Sequence, residues 1–266
     1  MIRIVHISDL HFGTEQPALV TALEAQIHAL APDLVAASGD LTQRARPREL
    51  AAAAAFLDRL PRPVLTVPGN HDIPGVTPAR FVDPWRGWLR HFPGGLEPVV
   101  DGAGFLAVGA NSVRSGGPYL DWSRGRLGEA QIARLAAKLE QAGGGLRILV
   151  AHHPLLLTPA GAHRGLVGRS DLALAKLRRA GLDLALGGHV HLGYAGIANG
   201  VVIAHAGTGV SNRLVGELNG FNVITGDGDA LTVEHWRWRS DTYAPSAAAR
   251  FERAGTEWRP AANAGH

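Results

Sequence analysis

Pro68-Gly69-Asn70-His71-Asp72 follows directly on the apolar run Val64 to Val67. A tight turn at the end of a strand therefore presents an amide, an imidazole and a carboxylate side by side. In this composition Gly-Asn-His-Asp is expected about 0.002 times by chance. Four further clusters share the placement. Asp9-Leu10-His11 follows the run Ile2 to Ile7, Gly39-Asp40 follows Leu34 to Ala37, His152-His153 follows Leu146 to Ala151, and Gly188-His189-Val190-His191 follows Leu182 to Leu186. Asp-x-His or His-x-His alone carries little weight, since each is expected about 0.6 times in a chain with 13 histidines. Five clusters, all at strand ends, carry much more, because open α/β sheets put their ligand sites there.

Working outward, apolar runs alternate with helical stretches at Gln16 to Leu30 and Pro47 to Leu60, which predicts parallel strands with crossover helices. The second half repeats the theme. A strand is expected at Phe105 to Ala110, a helix at Glu129 to Gln141, a strand at Leu146 to Ala151, a helix at Asp171 to Arg179 and a strand at Leu182 to Leu186. Runs at Gly200 to His205, Phe221 to Thr225 and Leu231 to Trp238, joined by Gly, Asn and Asp turns, predict a closing antiparallel meander. The reading is one domain with two sheets over residues 1–240. Residues 73–98, rich in proline and carrying Trp85 and Trp88, read as an insertion over one end of the sheet, either a lid or packing. Residues 241–266 read as an extended or partly disordered C-terminal extension, because no periodicity shows through the Ala, Pro and Arg.

Composition narrows the function. With 266 residues, 46% apolar and 18% charged, the chain can build a large core and is expected to be soluble and globular. No cysteine is present, so disulfides, thiolate metal sites and cysteine nucleophiles are excluded, and any metal must use His, Asp, Glu or Asn. The net charge of +3 comes from arginine without a like-charged run, which argues against a nucleic-acid partner. Leu184 to Asn212 lacks Lys, Arg, Asp and Glu and is long enough to span a bilayer, but its histidines and glycines favour buried strands. No targeting pattern precedes the first strand, so a cytoplasmic location without a membrane partner is the expectation. No heptad or apolar stripe declares an oligomer, and a homo-oligomer is left open.

The chemistry of the clusters is that of a pair of metal ions. Carboxylate oxygen and imidazole nitrogen suit Mn, Fe, Zn or Co alike. Asp9, His11, Asp40, Asn70, His152, His189 and His191 are more ligands than one ion needs. If Asp40 bridges, the other six divide into two sets of three and leave positions for water and substrate. Asn70 adds a neutral oxygen, useful where excess negative charge would repel an anion.

The ordered pattern Asp-x-His, Gly-Asp, Gly-Asn-His-(Asp/Glu), His, Gly-His-x-His, complete between Ile4 and His191, resembles the calcineurin-like metallophosphoesterase superfamily. The resemblance implies an α/β fold, a four-layer α/β/β/α sandwich of two mixed β-sheets flanked by helices. It implies that Asp9, His11, Asp40 and His191 hold one divalent ion and Asp40, Asn70, His152 and His189 the other. It further implies that a hydroxide held between the ions attacks phosphorus in line, while His71 neutralises developing charge or protonates the leaving oxygen. Gln43 stands where purple acid phosphatases carry a tyrosine, and the aspartate of the protein Ser/Thr phosphatases is also missing. His71 stands where the lipid A pathway pyrophosphatases carry arginine. Ser38 to Thr42, Pro68 to Asp72 and Gly188 to His191 instead resemble the class III cyclic nucleotide phosphodiesterases and related glycerophosphodiesterases.

The expectation is thus a metal-dependent phosphodiesterase acting on a small phosphodiester. A 3′,5′-cyclic nucleotide ranks first, then a 2′,3′-cyclic nucleotide, then a glycerophosphodiester. The alternatives are a broad-specificity phosphodiesterase, a nuclease or phosphomonoesterase of the same superfamily, and an inactive scaffold. Around the core motif, Asp72 is expected to orient a neighbour by hydrogen bonding, and His153 to point away from His152. His6 is expected as a satisfied core histidine, and Trp236 and Trp238 as packing. His205 is balanced between approaching the phosphate and a strand-end role. Arg114, Tyr119 and Trp122 are read as a solvated loop in preference to a base-binding surface.

Overall fold

The computed structural model describes residues 1–117, 121 and 123–262. The first strand, β1 (Ile2–Ile7), sets the pattern for the layers. Ile2 and Ile4 face inward toward a second sheet, while Val5 and Ile7 face outward against helices, as the two-residue period of a strand requires. Helix α1 (Pro17–Leu30) starts on a proline and buries Leu19, Leu23 and Ile27 on one stripe, the spacing of a half-buried helix. Strand β2 (Leu34–Ala37), helix α2 (Pro47–Arg59) and strand β3 (Val64–Thr66) repeat the unit, so β1, β2 and β3 run parallel. Glu49 fastens the start of α2 by accepting the backbone amides of Arg44 (2.7 Å) and Arg46 (3.3 Å).

Two short helices follow, α3 (Pro78–Val82) and α4 (Arg86–His91). In the segment read as lid or packing, Trp88 and Phe92 are buried in the core beside Leu50 and Phe56, so that part is packing. Its earlier part is tied to a later loop by the Arg80 guanidinium, which donates to the carbonyls of Pro74, Arg114 and Ser115.

The second sheet opens with the hairpin β4 (Val99–Gly102) and β5 (Phe105–Ala110). It continues through α5 (Glu129–Glu140), β6 (Leu146–Ala151), α6 (Ser170–Arg179) and β7 (Leu184–Gly187), with β5, β6 and β7 parallel. Strand β8 (Tyr194–Ala198) turns through Asn199 (φ 51°) and Gly200 (φ 75°) into β9 (Val201–His205). The apolar span 184–212 is therefore three strands, and among the described residues no helix is long and apolar enough to cross a membrane.

Three elements depart from the expected order. The meander begins one strand later than expected, because β9 pairs parallel with β7 in the second sheet. Strands β10 (Gly220–Gly226) and β11 (Ala230–Arg239) return to β1. Strand β4 lay hidden in a run only four residues long whose side chains are half exposed. The segment after Ser240 is not a tail. β12 (Thr242–Ala254) pairs along β11 and β13 (Glu257–Pro260) pairs with β12, burying Tyr243, Phe251 and Trp258. Alanines in both alternating positions masked that period, since they report neither face.

The sheets are ordered β13-β12-β11-β10-β1-β2-β3 and β4-β5-β6-β7-β9-β8. Three apolar cores separate the layers. One lies under α1, α2 and α4, one between the sheets, and one under α5 and α6, which makes an α/β/β/α sandwich. The carboxyl ends of the parallel strands in both sheets meet at one edge, where all five clusters sit.

Candidate metal centre

The loops after β1 and β2 run side by side, the amides of Asp9, His11 and Phe12 donating to the carbonyls of Gly39, Asp40 and Leu41. Such close approach depends on glycine. A Cβ on Gly39 would meet the Gly69 backbone and His152 Nδ1 at 2.7–2.9 Å, and a Cβ on Gly69 would collide with the Asp40 carboxylate. Asp9, His11, Asp40, His189 and His191 all adopt left-handed backbone conformations, with φ between 48° and 71°. A non-glycine residue there stores roughly 1–3 kcal/mol, and such strain collects at functional sites. Loop after loop is thus bent out of its preferred geometry to aim side chains at one point.

Asp9, His11, Asp40 and His191 present one oxygen or nitrogen each within 4.8 Å of one another, all buried. Asp9 Oδ2 accepts the His189 amide (3.0 Å), whereas Asp9 Oδ1 is buried and, among the described residues, has no hydrogen-bond partner. It lies 3.3 Å from His191 Nε2 and 3.8 Å from His11 Nε2. His191 Nδ1 donates to the Arg213 carbonyl at 2.7 Å, which leaves the Nε2 lone pair facing the cluster. The second group lies across Asp40. Asn70 Oδ1 sits 3.2 Å from His152 Nε2 and 3.0 Å from His189 Nδ1. His152 Nδ1 donates to the Ser38 carbonyl (2.8 Å), again turning Nε2 inward. Asp40 Oδ1 takes the His71 amide, and Asp40 Oδ2 is 3.3 Å from His152 Nε2 and 3.9 Å from His11 Nε2, so one oxygen faces both groups.

Burial and close charges act against each other throughout the cluster. Burial works against the Asp40 charge, yet His152, with His71 and His11 behind it, holds the carboxyl well below its usual range. Burial likewise opposes the His152 charge, but the Asp40 carboxylate holds that imidazole up at about 9. His11 is pushed down to about 4 by burial, against the pull of Asp40 and Asp9. A carboxylate oxygen without a hydrogen-bond partner among the described residues and inward-turned imidazole nitrogens in a buried pocket fit divalent metal, and the mixed oxygen and nitrogen set suits Mn, Fe, Zn or Co.

His152, His153 and His189 also lie within 4.8 Å of one another. The His153 ring lies 4.9 Å from that of His152 and 4.8 Å from that of His189, so it does not point away from them as strand alternation predicts. Its Nε2 donates to the Ser123 carbonyl (2.7 Å) and its Nδ1 meets the Ser112 hydroxyl (2.7 Å), so both ring nitrogens are engaged. Burial, helped by the neighbouring His152, pushes it down to about 3.

Asp72 turns away from the cluster and accepts the amides of Leu41, Thr42 and Gly69 and the Thr42 hydroxyl, at 2.8–3.1 Å. It joins the loops that present Asp40 and Asn70. Asp72→Ala is expected to lower turnover about 10- to 100-fold, as loss of an outer ligand support does, with weaker metal retention. Equal metal content and turnover in the variant would show the loops hold without it.

His71 sits beside the first group, its ring 5.0 Å from that of His11 and edge-on to it. His71 Nδ1 donates to the Gln43 carbonyl (2.8 Å), and Nε2 accepts from Arg213 Nη1 (3.1 Å). Arg213 carries no sequence signal, being one arginine among many on a loop without recognisable spacing. His205 is a buried strand-end histidine, donating from Nδ1 to the Gly188 carbonyl and stacked on Tyr194. His6 is satisfied by Ser38 Oγ (2.9 Å) and Asn222 Nδ2 (3.2 Å). Trp236 and Trp238 pack with Phe221 and Tyr243. Arg114 lies on the loop joined to Arg80, while Tyr119 and Trp122 fall outside the described residues.

A two-sheet sandwich with a buried Asp/His/Asn cluster at its strand ends defines a class, the α/β/β/α sandwiches with a candidate metal site. Residues 2–193 match the family model described as calcineurin-like phosphoesterase, and the chain belongs to that family. It is 28% identical over 164 residues to the glycerophosphodiester phosphodiesterase GpdQ of Enterobacter lignolyticus, covering 58% of this chain and 57% of that protein. It is 26% identical over 173 residues to a probable cyclic nucleotide phosphodiesterase of Synechococcus, covering 59% of each. The chain thus spans under two thirds of the length of these relatives. The purple acid phosphatase PPD1 of yellow lupin superposes with a TM-score of 0.69 at 18% identity, over 93% of this chain and 53% of that one, a likeness of fold alone.

Proposed function

We propose that the protein hydrolyses small phosphodiesters with a dinuclear metal centre. Asp9, His11, Asp40 and His191 would hold one ion, and Asp40, Asn70, His152 and His189 the other. The observation that carries the reading is Asp40 Oδ2, a single carboxylate oxygen facing both donor groups. When bound, a pair of divalent ions supplies an activated water and positive charge for the phosphoryl oxygens.

The chain's own residues do the rest. The Ser38 and Arg213 carbonyls hold Nδ1 of His152 and His191, so Nε2 of each faces the cluster, and ion binding at His152 would displace its Nε2 proton. Asn70 contributes an uncharged oxygen, which limits repulsion of a phosphodiester anion. His71 stands at the rim with Nδ1 anchored, leaving Nε2 the reactive nitrogen. In the state seen, Nε2 accepts a hydrogen bond, so protonating a leaving oxygen requires a second ring proton and release from Arg213.

For substrate, a 3′,5′-cyclic nucleotide stays first, supported by the likeness to the Synechococcus protein. The likeness to GpdQ supports a glycerophosphodiester as the second reading. The test is turnover of bis(p-nitrophenyl) phosphate against p-nitrophenyl phosphate by metal-stripped protein reloaded with manganese. Faster diester cleavage is expected, followed by a panel of cyclic nucleotides and glycerophosphodiesters. Faster monoester cleavage would move the protein to the phosphatases. Asn70→Ala is expected to lose one ion per chain and on the order of 100-fold in turnover with the fold retained. A variant keeping both ions and full turnover would remove Asn70 from the ligand set.

A further inference from the structure

We propose that Arg213 is a catalytic residue whose guanidinium binds a non-bridging oxygen of the phosphodiester. The proposal rests on the dinuclear reading above. Arg213 is fixed to the cluster by its own backbone, since its carbonyl accepts from His191 Nδ1 (2.7 Å) and from the Thr208 hydroxyl (3.0 Å). Its side chain then crosses to the other side of the rim. Nη1 donates to Gln43 Oε1 (3.2 Å) and to His71 Nε2 (3.1 Å).

Both of these partners are neutral acceptors. Arg59, Arg62, Arg134, Arg178, Arg237 and Arg253 each pair with a carboxylate. Among the described residues no carboxylate lies within ion-pair distance of Arg213, and its Nε and Nη2 have no protein acceptor. A half-buried cation without a counter-charge, beside a pocket that is itself built for cations, is electrostatically incomplete. Packing alone does not account for it, because an uncharged side chain could serve Gln43 and His71 as well. An anion at the rim completes it, and the planar fork suits two oxygens of a phosphoryl group.

The placement also gives the side chain a role during turnover. Drawing Nη1 onto a phosphoryl oxygen frees His71 Nε2, so substrate entry itself releases the imidazole that the free protein holds as an acceptor. One water adds to phosphorus, the P–O ester bond breaks, and the leaving oxygen takes up the proton that the water gives up. Charge on the non-bridging oxygens is what the guanidinium stabilises.

The test compares wild type, Arg213→Ala and Arg213→Lys, all reloaded with manganese. Metal content is expected to stay the same in all three, because the backbone carbonyl that orients His191 is retained. Affinity for inorganic phosphate, measured by calorimetry, is expected to fall about 10-fold or more in Arg213→Ala, and kcat/KM for bis(p-nitrophenyl) phosphate about 100-fold. Added guanidinium chloride should restore part of the Arg213→Ala rate without stimulating wild type. Lysine should recover little, since a point charge cannot span the same oxygens. Unchanged phosphate affinity with no guanidinium rescue, in a series whose wild type is active, would overturn the proposal. So would loss of metal in Arg213→Ala. A wild type that neither retains two ions nor cleaves either ester would instead remove the dinuclear reading beneath it.

Discussion

Asp40→Ala is expected to lose both ions and to lower phosphodiester turnover by more than the roughly 10- to 100-fold that an outer support costs. The argument starts from geometry. Asp40 Oδ2 lies 3.3 Å from His152 Nε2 and 3.9 Å from His11 Nε2, so it is the one group shared by the two donor sets. Removing it leaves each proposed set one oxygen short, and leaves Asp9 as the sole carboxylate among the proposed ligands. Alanine also removes Oδ1, the acceptor of the His71 amide at 2.8 Å, and a buried amide without a partner costs about 1–3 kcal/mol. Asp40→Asn separates the two losses. Its amide oxygen can keep the His71 bond while the charge is gone, so it should fold as wild type does and still fail to hold two ions. Metal analysis and bis(p-nitrophenyl) phosphate turnover on both variants check this. Two ions per chain in Asp40→Asn would show that Asp40 does not bridge.

The sequence made the alternating first half and the five clusters legible, because strands with long apolar runs and crossover helices leave strong periodic signals. Ile2 to Ile7 and Leu146 to Ala151 each end where a cluster begins, so the topology that joins β1, β2, β3, β6 and β7 was enough to gather the clusters at one edge. What stayed hidden had physical reasons. β12 reads as featureless because alanine fills both its faces, and only Tyr243 and Phe251 report the buried side. β9 reads as the start of a meander because a hairpin pattern does not say which sheet a strand joins. The left-handed backbone of Asp9, His11, Asp40, His189 and His191 has no residue signature, since these are not glycines. Arg213 reaches His71 across 142 positions of sequence, and only the fold brings them together.

The second large effect is on stability in acid, and it comes from histidines buried away from the proposed ligands. His6 is pushed down to about 3 by burial, with His205 and His235 adding to the shift. His235 is pushed down to about 4, again by burial first and then by Arg237. Both belong to a neutral chain of hydrogen bonds between the sheets. Asn222 Nδ2 donates to His6 Nδ1, and Asn222 Oδ1 accepts from His235 Nδ1 at 2.7 Å. In the unfolded chain these imidazoles take a proton near pH 6.5, whereas folded they resist it until far lower pH. The unfolded state therefore binds more protons between those limits, and stability rises with pH. The contribution is complete above about pH 6.5 and is lost progressively as the pH falls toward 4. At pH 5 each histidine costs about 2 kcal/mol relative to pH 8, a large share of the roughly 5–15 kcal/mol typical of a folded domain. Urea unfolding at pH 8 and pH 5 should show that drop. His235→Gln keeps a donor toward Asn222 but cannot take up a proton, so its fall in stability between the two pH values should be smaller than wild type by about 2 kcal/mol. Because acid-driven metal release acts equally on both proteins, it cancels in that difference. Parallel pH dependences for the two proteins would show that His235 is not held neutral by burial.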